Sequence, residues 1–150
     1  MKKKIARPAD TPAEVYDYWH RRWVEYINQN YKERFFQAGI VGMSFTERCP
    51  DCPDGNGAFH YNFASDGELE FVDHEGDAVL EYDSYDIGYR LLGDANFDAM
   101  ELLAKGNLRF LKNMEHFVKL AELMPLMREA FYAAISDAEK KFNIEMPKYP

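Results

Sequence analysis

Apolar residues recur along this chain with two different periods. Val15, Trp19, Trp23, Tyr26 and Ile27 fall on one helical face, with Arg21, Arg22 and Glu25 elsewhere around the axis. Ahead of them, Thr11-Pro12-Ala13-Glu14 reads as a capping box with proline at the first helical position. After Phe35-Phe36-Gln37 the period shortens. Ile40 to Thr46, Phe59 to Ala64, Leu69 to Asp73 and Ala78 to Tyr82 are rich in β-branched or aromatic residues and are separated by turn formers. They predict an antiparallel meander with hairpins at Ser65-Asp66-Gly67 and Glu75-Gly76-Asp77. Phe59, Tyr61 and Phe63 alternate with His60 and Asn62, which gives a sheet wet on one face and covered on the other.

The helical period returns at Tyr85 to Leu92 and Phe97 to Ala104, and Gly106 stands in the position of a C-terminal cap. Leu108 and Phe110 alternate with Arg109 as a fifth strand. Asn113 then caps a helix carrying Met114, Phe117, Val118 and Ala121. Pro125 interrupts, and a last amphipathic helix runs from Leu126 to Phe142. This order of elements is α+β, and 150 residues suit a basic lead over 1–10 followed by one domain over 11–150.

Charge narrows the choice of partner. Residues 51–100 hold 13 acids against the single base Arg90, within a net charge of −8. Such a balance disfavours nucleic acid, whose affinity rests on Lys and Arg displacing counterions. The acidic segment 66–86 reads either as a solvated sheet face or as a surface for a protein partner. No apolar run approaches the roughly 20 residues of a membrane span, so neither integral membrane association nor a signal-peptide core is expected, and the cytoplasm is the expected location.

Candidate chemistry is sparse. Cys49-Pro50-Asp51-Cys52 is open to three readings: a structural loop, half of a metal site, or a redox dithiol. No second cysteine pair completes a zinc site, and the Pro, Asp, Gly and Asn residues that follow form turns where a redox pair needs a helix N-terminus. Cys49 and Cys52 are therefore weak metal candidates, and no cofactor is expected. His20, His60, His74 and His116 do not cluster, and no catalytic motif is present.

The apolar inventory is placed more tellingly. Fourteen Met, Leu, Phe and Val residues fall within the 28 from Met100 to Met127. Methionine is flexible and polarizable, suited to a wall that adapts to ligands of varied shape. From Ala78 to about Met127 the chain resembles the sterol carrier protein family. The resemblance lies in Asp77-Ala78-Val79-Leu80-Glu81-Tyr82 as a strand, in Asn96 to Phe110 around Gly106 as small helix, glycine and final strand, and in Met114 to Leu123 as the helix beside the ligand. Asn113 stands where that family more often has glycine, the Cys49 to Gly57 loop is longer than its usual hairpin, and the C-terminal helix is also longer.

The resemblance implies a five-stranded, mainly antiparallel sheet covered on one face by helices around an apolar tunnel. It implies non-catalytic binding or transfer of a sterol, fatty acid or fatty acyl thioester. The ligand-binding candidates are Tyr82, Phe97, Leu103, Leu108, Phe110, Met114, Phe117, Val118, Ala121 and Met124. Two other readings stay open: an enzyme or accessory subunit using His60, His74, Tyr82 or a metal at Cys49 and Cys52, and an acidic partner-binding scaffold.

Overall fold

The computed structural model describes residues 1–149; Pro150, the last residue of the expected domain, lies outside them. In chain order the elements are β1 (Lys3–Lys4), α1 (Ala13–Asn30), α2 (Lys32–Gln37), β2 (Ser44–Arg48), β3 (Ala58–Phe63), β4 (Leu69–Phe71), β5 (Ala78–Tyr82), α3 (Tyr85–Gly93), α4 (Ala99–Lys105), β6 (Leu108–Lys112), α5 (Met114–Ala121), α6 (Met124–Phe142) and β7 (Ile144–Glu145).

Helix α1 buries Val15, Trp19, Trp23 and Ile27, the stripe that their spacing predicts, together with Tyr16, His20 and Val24. The capping box does not form. Pro12 keeps an extended backbone and takes the N-cap position itself, leaving Thr11 one residue too far from the first helical N–H groups. The Thr11 hydroxyl donates instead to the Pro8 carbonyl at 2.6 Å. The basic lead is also tied down: β1 pairs in parallel with β7, and Ile5 is buried.

The main sheet has the strand order β4-β3-β2-β5-β6. The predicted meander holds for β2, β3 and β4, which pair antiparallel. It ends there, because β5 lies on the far side of β2 and pairs with it in parallel. Residues 72–77 carry the chain across three strand spacings, about 14 Å, within the roughly 20 Å that six extended residues reach. Glu75-Gly76-Asp77 is thus the crossing point and not a hairpin. There the Gly76 N–H donates to Thr46 Oγ1 at 2.7 Å, and a Cβ on Gly76 would stand 2.5 Å from the Phe45 nitrogen. Only glycine lets the backbones meet so closely.

Strand alternation sends Phe45, Tyr61, Phe63, Leu69, Leu80, Tyr82 and Leu108 to one face, where all are buried. The opposite face is polar: Arg109 reaches its cross-strand partner Glu81 at 2.9 Å, and Thr46 pairs with His60 at 2.7 Å. Helices α1 and α5 cover the apolar face, with Trp23 and Tyr61 ring centres 6.3 Å apart and those of Phe117 and Phe45 5.2 Å apart. Helix α6 packs on α1. Ala130, Ala134 and Ala138 form a shallow buried stripe on α6, and Phe131 meets Trp19 edge to face at 5.1 Å.

Two caps set the geometry near the covering helices. Gly106 ends α4 at φ 80°, and the Asn107 N–H closes back on the Leu102 carbonyl at 3.0 Å. Asn113, also left-handed at φ 48°, makes no side-chain cap to α5, against the sequence expectation. Its amide donates to the Asp77 carbonyl at 2.7 Å, so it ties the start of α5 to the start of β5.

Candidate functional site

A cavity of about 160 Å³ lies between the apolar sheet face and the covering helices. Its floor is Leu80, Leu108 and Phe110 from the sheet, with Tyr61 and Trp23 at one side. Its roof comes from Leu103 on α4, Phe117, Leu120 and Ala121 on α5, and Met124 and Met127 at the start of α6. Of the predicted ligand-binding residues, Leu103, Leu108, Phe110, Phe117, Ala121 and Met124 meet here.

The other four candidates do not line this cavity. Met114 and Val118 are 54% and 57% exposed, on the flank of α5 away from Phe117 and Leu120. Phe97 lies under the Arg90 guanidinium, 5.0 Å from its ring centre. Tyr82 borders a second, smaller void of about 40 Å³, which it shares with Tyr16, His20, Tyr85 and Tyr89. Pro125 sits in the first turn of α6, where its missing N–H costs nothing.

Glu47 borders both voids. It lies in β2 between Phe45 and Cys49, on the face that is otherwise apolar, and is half-buried there. Its Oε1 accepts a hydrogen bond from the Tyr82 hydroxyl, and the Tyr61 hydroxyl pairs with the same carboxylate. Burial pushes the Glu47 carboxyl up to about 7, against the opposing pull of the Tyr61 hydrogen bond. No lysine or arginine lines either void. Sequence reasoning missed Glu47 because it ended the strand at Thr46. The alternation Phe45, Glu47, Cys49 contained the signal, an acid at an inward position.

The smaller void is polar in a particular way. His20 Nδ1 pairs with the Tyr16 carbonyl at 2.7 Å, and burial drives the imidazole down to about 3, so it is neutral at physiological pH. The Tyr85 hydroxyl and the Trp19 indole N–H are buried without a hydrogen-bond partner of good geometry. Burial raises the hydroxyls of Tyr61 and Tyr85 well above their usual range.

Cys49 and Cys52 are joined as a disulfide, with Cα atoms 5.7 Å apart. Their sulfurs are therefore not metal ligands here, and among the described residues no group of three or more His, Cys, Asp or Glu is placed to hold a metal ion. Much of the acidic segment is paired: Asp66 with Lys32, Glu75 with Arg48 and Lys112, and Glu81 and Asp83 with Arg109. Among the described residues no helix is long and apolar enough to cross a membrane.

A helix-covered, five-stranded sheet in this order is the fold of the sterol carrier protein domains. The solved structures that are similar agree. A conserved hypothetical protein from Thermus thermophilus, described as possibly a sterol carrier protein, matches 77% of this chain and 85% of its own at a TM-score of 0.54 and 14% identity. Sterol carrier protein 2 matches 74% and 94% at 0.51 and 17% identity. A ubiquinone synthesis protein, UbiJ-SCP2, matches 77% and 99% at 0.55 and 10% identity. The resemblance seen in the sequence thus holds at the level of the fold. No family model and no curated protein matches the sequence.

Proposed function

We propose that this protein binds a hydrophobic small molecule or lipid, without catalysis, in the cavity beneath α4 and α5. The observation that carries this reading is the cavity itself: an apolar space of about 160 Å³, walled by Leu, Phe and Met, on the one covered face of the sheet. Cavities of about 150 Å³ with such walls stay dry and take up benzene-sized molecules. A longer chain enters when the roof moves outward. Helix α4 suits that motion, because none of its residues is fully buried. In this reading the cavity then lengthens into a tunnel, and the protein holds or transfers its ligand in the cytoplasm. The sterol carrier and ubiquinone synthesis proteins of like fold support a hydrophobic ligand class.

Each buried methylene contributes about 0.8 kcal/mol, so ten carbons supply roughly 8 kcal/mol before association and ordering costs. Micromolar binding corresponds to about −8 kcal/mol net, so a ten-carbon chain by itself binds more weakly than that, and a longer chain or a polar anchor supplies the rest. A non-catalytic role is favoured by the lining, because Glu47 is paired with tyrosine hydroxyls, of which burial holds Tyr61 far from ionisation, and no nucleophile in the lining faces a base. The ion pairs along segment 66–86 favour ligand binding over an acidic docking scaffold. Native mass spectrometry of the protein as isolated and after incubation with 1-decanol tests the proposal. A one-to-one adduct, lost in Leu103→Trp, is expected; absence of any adduct under both conditions overturns it.

A further inference from the structure

A carboxyl group on an apolar wall is expensive to bury, and Glu47 is held there by two tyrosine hydroxyls from neighbouring strands, Tyr61 on β3 and Tyr82 on β5. The other polar groups that line the smaller void are those of Tyr16, Trp19 and His20 on α1 and of Tyr85 and Tyr89 on α3. The residues that α4, α5, α6 and β6 bring to the cavity are all apolar. The site therefore offers an acid and hydroxyls, with no cation. We propose that Glu47, with Tyr61 and Tyr82, anchors the polar end of the ligand and selects a hydroxyl-headed lipid over the fatty acid of equal length.

The proposal rests on the lipid-binding reading and adds the head-group class to it. A hydroxyl both donates and accepts, so it pairs with Glu47 as carboxylate or as acid. A fatty acid brings a second carboxylate beside the first, and without a lysine or arginine one of the two must take up a proton. Burial has already brought Glu47 to about 7, so repulsion grows as pH rises through neutrality. The Tyr85 hydroxyl, buried beside the Trp19 indole N–H but without a hydrogen bond of good geometry, makes the smaller void polar enough to receive a head group or a bridging water.

Isothermal titration of the wild-type protein and of Glu47→Gln with 1-decanol and with decanoate separates the alternatives. Decanoate is charged at both pH 6 and pH 8, so its own desolvation cost is constant. In the wild type the preference for decanol over decanoate should rise about 10-fold between those pH values. In Glu47→Gln at pH 8 that preference should fall at least about 10-fold. A preference that is independent of pH in the wild type, or unchanged in Glu47→Gln, overturns head-group selection while leaving lipid binding in place. Failure of both probes to bind the wild type overturns both. The wild-type pH comparison decides the question even if Glu47→Gln does not fold.

Discussion

Replacing Glu47 by Gln isolates what a buried acid costs this fold. The folded carboxyl titrates near 7 and an unfolded one near 4.5, so the folded state holds the proton more tightly. The resulting stability is fully present below about pH 4.5 and is lost as pH rises through 7. The gap corresponds to about 3 kcal/mol, of which about 2.5 kcal/mol is lost between pH 5 and pH 8.5. His20 acts in the opposite sense. Its folded value near 3 lies below the unfolded 6.5, so its contribution is present above pH 6.5 and is lost as pH falls toward 3. The two slopes oppose each other between about pH 4.5 and 6.5, which flattens the wild-type profile there. The difference between wild type and Glu47→Gln cancels the His20 contribution and leaves that of Glu47. Urea unfolding of both proteins at pH 5 and pH 8.5 reads it. The variant should gain about 2 to 3 kcal/mol on the wild type between the two pH values. An equal stability difference at both would refute the buried, proton-holding Glu47.

Other consequences are equally open to measurement. Leu103→Trp fills the cavity roof and should weaken decanol uptake at least about 10-fold by titration calorimetry, whereas Met114→Trp, on the exposed flank, should change it less than about 2-fold. Gly76→Ala forces a Cβ against the Phe45 backbone and should cost at least about 2 kcal/mol in urea unfolding; a neutral result would place the crossing loop elsewhere. Reducing the Cys49–Cys52 disulfide opens a loop of few residues and should cost no more than about 2 kcal/mol, with decanol affinity unchanged. Within the length that the cavity accepts, each added methylene in a 1-alkanol series should tighten binding about 4-fold; a flat series would deny apolar enclosure of the chain.

Much of this was legible because the physics was local. The helical stripe of α1, the alternation in β3 and the glycine ending α4 each follow from side-chain period or backbone freedom within a few residues. What escaped was set by pairing at a distance. Nothing in Glu75-Gly76-Asp77 distinguishes a hairpin from a crossing loop until β5 is seen beside β2. The expected strand Ile40 to Thr46 lies ahead of the observed Ser44–Arg48, because the apolar residues Ile40 and Val41 belong to the turn that precedes it. That shift hid the inward Glu47. On α5 the apolar residues are spread over more than one flank, and sequence alone does not say which flank faces the sheet. Packing of Phe117 on Phe45 turns Leu120 inward and leaves Met114 and Val118 outside. The cysteine pair allowed three readings until its two sulfurs were seen joined.

In the proposed function, a hydrophobic ligand occupies the space between α5 and the sheet. Methyl-resolved NMR during titration with 1-decanol tests it most directly. Shifts should concentrate on Leu80, Leu103, Leu108, Met124 and Met127, with Met114 and Val118 nearly unmoved. Shifts confined to Met114 and Val118, or none anywhere, would contradict the account.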